Sequence, residues 1–304
     1  KMVVRASSPD DAPARASGPA PPPRPAPAPV APARPAAPAT GGPITWAKQP
    51  VVSESFQVAY LEGQRALAEQ VARAAETARA SSLKRWGETT PGQPWSPRCE
   101  LVLFPNAADF SRETGQPPDS PGFSTMGMNA GKIVFRRINL RIDHPNLVKA
   151  ILPHEVTHVV LADLFPHKQI PRWADEGMAV LSEPSVEQNI RAVDLEEPLN
   201  TGRLFKLSDL MVMDYPDARF WSLYYAQSVS VTRFLVEQGS PAQFVKFVQE
   251  AQRTGVEPAM KQVYKIKDYT DLQGRWLTYA RAKASAELTA SSTDPEKAPG
   301  TARR

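Results

Sequence analysis

The stretch Ile151-Leu152-Pro153-His154-Glu155-Val156-Thr157-His158-Val159-Val160-Leu161 holds two of the four histidines in a chain of 304 residues, in the pattern H-E-x-x-H. On an α-helix, residues four apart lie one turn apart on one face, so both imidazoles can reach a single metal ion. Glu155 follows the first histidine and projects toward the same open side, where it can take a proton from a water that a metal activates. The apolar neighbours Ile151, Leu152, Val156, Val159, Val160 and Leu161 predict a buried helix, in which two histidines and a glutamate are costly without a metal or hydrogen-bonding partners. Pro153 removes the helical bond to the carbonyl of Lys149. Either the helix is kinked there, or the segment from Asn146 is a separate turn and Pro153 opens the motif helix; both keep the histidines on one face.

A catalytic zinc site needs a third protein ligand and one open position. His167 comes nine residues after His158, and positions 161 and 164 are both Leu, which excludes the longer pattern with Gly at the first and His at the second. The other candidate is Glu176, in Ile170-Pro171-Arg172-Trp173-Ala174-Asp175-Glu176-Gly177-Met178-Ala179. Pro171 predicts a turn, and a helix from Trp173 to Glu183, stopped by Pro184, would present Glu176 as a carboxylate ligand. Gly177 and Ala179 are small enough for close helix approach, and Asp175 is expected to be a solvated or capping residue. Glu183, seven residues after Glu176, either orients a ligand or forms a surface ion pair.

H-E-x-x-H followed by P-x-W-x-x-E-G-x-A resembles the gluzincins. The order of segments, from a long helix near residue 54 through Tyr224-Tyr225-Ala226-Gln227-Ser228 to Trp276, resembles the bacterial peptidase MA-like family over about residues 50 to 284. The resemblance implies an α+β, zincin-like metallopeptidase domain: a small mixed sheet whose edge strand lies along the substrate, an active-site helix, a ligand helix and a helical C-terminal portion. It implies His154, His158 and Glu176 as ligands of one Zn2+ per chain, Glu155 as general base and a polypeptide as substrate. Relatives of this kind often use a Tyr or His from the helical part to hold the oxyanion. Tyr225 is the candidate, with Tyr224 the alternative and a packing role open for both.

The segment from Asn129 to Arg136 is similar in register to the G-A-M-E-N loop and following strand of the aminopeptidase N type of gluzincin, where a Glu anchors the substrate's free amine. Met128 stands at that position and cannot bind an ammonium, so the expected reaction is cleavage of internal peptide bonds, or of some other amide, and not removal of an N-terminal residue. The alternative is a non-catalytic module that binds polypeptide or wall polymer on the same scaffold. An intact Glu155 argues against it, because a binder has no use for a base beside the metal.

Outward from these motifs, residues 1–50 hold 14 of the 32 prolines and almost no large apolar side chain, the composition of a disordered tether. That segment carries a net +4, as does the whole chain, so the remainder is formally neutral and lacks the basic stripe that nucleic-acid binding requires. No run of about 18 apolar residues predicts a transmembrane segment. The tether weakly favours an extracytoplasmic location, and Lys1-Met2, with no apolar run behind it, suggests a processed chain. Expected boundaries are a catalytic domain over 51–205, a helical portion over 206–286 and a disordered tail over 287–304. Within them the periodicity predicts a helix over 54–81, a strand over Cys99 to Phe104 with the lone cysteine buried, and a short helix capped by Asn106 and stopped at Gly115. A loop over 122–131 and a strand at Ile133 to Phe135 follow. Ser185 with Gln188, Ser240 with Gln243 and Thr270 with Gln273 each fit a capping box.

Overall fold

Phe56, Val58 and Tyr60 alternate with smaller or polar residues, and this period of two makes a strand. β2 (Phe56–Ala59) pairs antiparallel with β1 (Val51–Val52) and buries Phe56 and Val58 completely. The helix expected from residue 54 therefore begins later, as α1 (Arg65–Trp86), after Gly63 turns the chain with a φ of 83°. Residues four apart share a face in a strand as well as in a helix, so the spacing of Phe56 and Tyr60 fits both. The computed structural model describes residues 44–87, 92–129, 132–214 and 216–292; the expected tether up to residue 43 and the tail from residue 293 lie outside them. Ordered pairing already begins at Trp46, which bridges to Leu61 and sets its ring edge-on to Phe104, 5.7 Å between centroids.

The sheet has five strands in the order β1-β2-β3-β5-β4. β3 (Cys99–Phe104) lies at its centre, parallel to β2 and to β5 (Lys132–Arg141), and β4 (Gly122–Asn129) closes one edge antiparallel to β5. The stretch expected as a loop over 122–131 is thus mostly strand. Its glycines hid it: Gly127 lies opposite Phe135, whose ring stands where a Cβ would be, 2.3 Å from the ideal position, so the aromatic fills the gap in the ladder. The register shifts between Gly127 and Met128. Between β3 and β4, α2 (Ala107–Thr114) behaves as expected: Asn106 accepts from the Asp109 amide at 2.9 Å, and Gly115 ends the helix with a φ of 71°.

The remaining elements are helical: α3 (Leu152–Leu164), α4 (Arg172–Val180), α5 (Ser185–Thr201), α6 (Leu207–Leu210), α7 (Trp221–Glu237), α8 (Pro241–Thr254), α9 (Val256–Tyr264) and α10 (Tyr269–Ser292). At α8 the Ser240 hydroxyl accepts from the Gln243 amide at 3.1 Å. The other two expected boxes are built differently. The Pro184 carbonyl receives the first amides of α5, and Asp268 rather than Thr270 accepts from the Asp271 amide at α10. The protein is α+β, a small mixed sheet followed by a helical C-terminal part. The described residues group into two units, one ending at Pro171 and regaining Met178–Gln188, the other made of Arg172–Gly177 and the chain from Asn189; α4 contributes to both. In the first, Ala68, Val71 and Ala75 of α1, the inward residues of β2, β3 and β5, and Val156, Val159 and Val160 of α3 form one core. Among the described residues no helix is long and apolar enough to cross a membrane.

Candidate metal centre

The helix that carries H-E-x-x-H is set by the turn before it. Leu147–Ile151 forms a π-type turn in which the Ile151 amide reaches back to Asn146 and the Leu152 amide to Leu147, and Pro153 falls in the first turn of α3, where its missing N–H costs least. The π-type turn runs on into α3 with helical dihedrals at Ile151 (φ −65°, ψ −47°) and Leu152 (φ −61°, ψ −49°), so a change of helix type just before the proline accommodates it. Thr157 donates to the Pro153 carbonyl at 2.8 Å and accepts from Ser82 of α1 at 2.7 Å, a buried hydroxyl pair between the two helices. At the other end of α3, Asp163 accepts from the Trp95 indole and from Arg136 at 2.7 Å. The guanidinium groups of Arg79 and Arg136 lie 4.9 and 5.1 Å from the centroid of that indole ring. No local pattern announces the hydrogen bonds that Ser82, Trp95 and Arg136 make to α3, because they join residues 27 to 75 positions apart.

His154, Glu155 and His158 are buried, at 3, 1 and 2% exposure. The two histidine Nε2 atoms are 3.1 Å apart, and Nδ1 of His154 lies 2.6 Å from Oε1 of Glu183. A carboxylate only accepts, so Nδ1 of His154 donates to Glu183 and its Nε2 is the ring nitrogen that faces His158. Two imidazole nitrogens so close can both reach one cation that stands to the side of the line joining them. Glu183 is reached by a tight turn beyond α4, its amide donating to the Val180 carbonyl at 2.9 Å. Its carboxylate is buried against a histidine and is not part of a surface ion pair.

Glu176 rides on α4, 1% exposed, with Arg172 at 3.5 Å from its Oε1. His154, His158 and Glu176 each offer a ligand atom, and these atoms lie within 4.8 Å of one another. Asp175, expected to be a solvated or capping residue, is buried and not solvated, and it is ion-paired to Arg172 at 3.4 Å. A Cβ on Gly177 would stand 2.1 Å from Oγ1 of Thr232 and 3.0 Å from the Ser228 carbonyl, so α4 and α7 approach as closely as the glycine allows. His167 is exposed beyond the end of α3. Tyr224 and Tyr225 of α7 are both buried. The Tyr224 hydroxyl points at the Met213 carbonyl, 3.4 Å away, and burial, with the Glu176 charge next in weight, pushes its pKa well up. Tyr225 lies beneath the guanidinium of Arg191, at 5.7 Å.

A mixed sheet, an H-E-x-x-H helix braced at both ends and a buried His-His-Glu group define a metallopeptidase-like domain. The profile of the Peptidase MA superfamily matches residues 130–282, and the chain belongs to that superfamily. No curated protein matches the chain.

Proposed function

We propose that this protein is a zinc-dependent metallopeptidase that hydrolyses internal peptide bonds, with His154, His158 and Glu176 as the ligands of one zinc ion per chain. The observation that carries the reading is the buried His-His-Glu group beside a buried Glu155. The donor set fits: two imidazoles and a carboxylate are a zinc set, and two Zn–N bonds of about 2.0–2.1 Å at a tetrahedral angle separate their nitrogens by about 3.3 Å. The observed separation is 3.1 Å. When bound, zinc would act as a Lewis acid toward the scissile carbonyl and acidify water. Glu155 takes the proton of the attacking water on its carboxylate and hands it to the leaving nitrogen. Tyr225 is the proposed donor to the developing oxyanion, since the hydroxyl of Tyr224 is directed to Met213.

The edge strand β4 offers backbone donors and acceptors to an extended peptide, and no acidic residue occurs between Pro121 and Asn139 to hold a free amine. An intact base favours an enzyme over the alternative of a non-catalytic binding module. The neutral charge balance beyond residue 50 supports a polypeptide rather than a nucleic acid as partner. The same reading keeps residues 51–205 as the catalytic portion and 206–286 as its helical complement, and the composition of residues 1–50 favours a site of action outside the cytoplasm.

The test joins metal analysis to digestion. Purified protein should hold one zinc per chain and cut unfolded casein into internal fragments visible by mass spectrometry. Absence of zinc after reconstitution would sink the reading, and a ladder of single residues lost from N-termini would overturn the endopeptidase assignment.

A further inference from the structure

We infer that Glu183 is a positioning residue for the metal centre: by holding Nδ1–H of His154 it presents the Nε2 lone pair and so sets the zinc affinity. The inference rests on the zinc reading above. The carboxylate is 8% exposed, its partner imidazole 3%, and their contact of 2.6 Å is short enough for a charge-assisted hydrogen bond. The backbone that carries it is held on both sides. Gln188 donates its amide to the carbonyls of Glu183, at 2.7 Å, and Leu181, at 3.3 Å. Ser182 donates to the Met178 carbonyl and accepts from the Trp86 indole of α1 at 3.2 Å. The carboxylate is therefore delivered by a braced turn and not by a mobile side chain on a surface helix.

The placement does not follow from the seven-residue spacing to Glu176, because α4 stops at Val180. Past that point the chain turns, and Glu183 comes to rest on the wall of an open groove of about 770 Å³ that α1 lines with Thr77, Ser81 and Lys84. Solvent and a lysine are thus within the same groove, yet the carboxylate is engaged with the imidazole. Such partners typically change metal affinity by about 10- to 100-fold, by fixing the tautomer and ring orientation and by making the imidazole more basic.

Two readouts test this on the full chain. Zinc affinity, measured by competition with a chromogenic chelator, should fall about 10- to 100-fold in Glu183→Ala and less in Glu183→Gln, which keeps an acceptor. It should be unchanged in Glu187→Gln, a nearby carboxylate bonded to the Asn146 amide instead. In the metal-free protein, long-range proton–nitrogen spectra should show His154 protonated at Nδ1 in the wild type and lose that signature in Glu183→Ala. A variant that melts earlier but keeps both the wild-type affinity and the tautomer would make Glu183 merely structural and overturn the proposal. A wild type that binds no zinc fails the underlying reading, an outcome told apart because the tautomer readout needs no metal.

Discussion

The surroundings of Glu155, Glu176 and Glu183 separate their tasks. Glu183 is hydrogen-bonded to His154, Glu176 lies beside Arg172 and within the ligand group, and Glu155 is buried next to His154. If Glu155 is the base, Glu155→Gln keeps shape and burial and removes only the proton acceptor. The variant should retain stoichiometric zinc and lose at least about 100-fold in turnover on casein; undiminished turnover would move the base elsewhere. At this scale the sequence is informative wherever partners are local. The spacing of His154 and His158 is a property of one helix turn, and Glu176 follows from a proline and a tryptophan that open the next helix. Glu183 can be suspected but not assigned a partner, and the burial of Asp175 beside Arg172 leaves no trace in composition.

Among the elements, short amphipathic segments were the hardest to read. Phe56 and Tyr60 satisfy helix and strand periods alike, and β4 spends its side-chain positions on Gly, Ser, Thr and Met, so only the ladder with β5 identifies it as a strand. Helices with strong punctuation were legible: Asn106 and Gly115 bound α2, and Ser240-Pro241 opens α8. The close contact of α4 with α7 belongs to this scale. Gly177→Ala would drive a methyl group into Thr232 and the Ser228 backbone, and because the carbonyl cannot rotate away, the helices must part. Denaturant titration should register a loss of about 1–3 kcal/mol, the usual cost of overpacking. A change of less than a few tenths would mean that the helices separate freely.

At the scale of the molecule, a ligand that binds the folded state alone raises its stability by mass action. Free zinc at about a hundred times its dissociation constant adds about 2.7 kcal/mol, which in a domain of 150–250 residues moves the midpoint of melting by about 5–10 °C. Chelation should lower the melting temperature by that amount and zinc should restore it, whereas magnesium, which prefers an all-oxygen octahedron, should not. The charge arithmetic is legible at this scale from the sequence alone, since residues 1–50 account for the entire net charge. The grouping of α4 with both units is not legible, because it depends on which neighbours each half of the helix finds.

The single cysteine carries a different consequence. Cys99 begins the central strand, fully buried between Phe56 of β2 and Arg136 of β5, and burial raises its thiol pKa far above the ordinary range. To an alkylating reagent the native protein is therefore a cysteine-free surface. Labelling must wait until the middle of the sheet comes apart, so its rate under native conditions measures the frequency of that opening, blind to fraying at the edges. The same silence makes any one cysteine introduced on the exterior a unique attachment point for a fluorophore or a spin label.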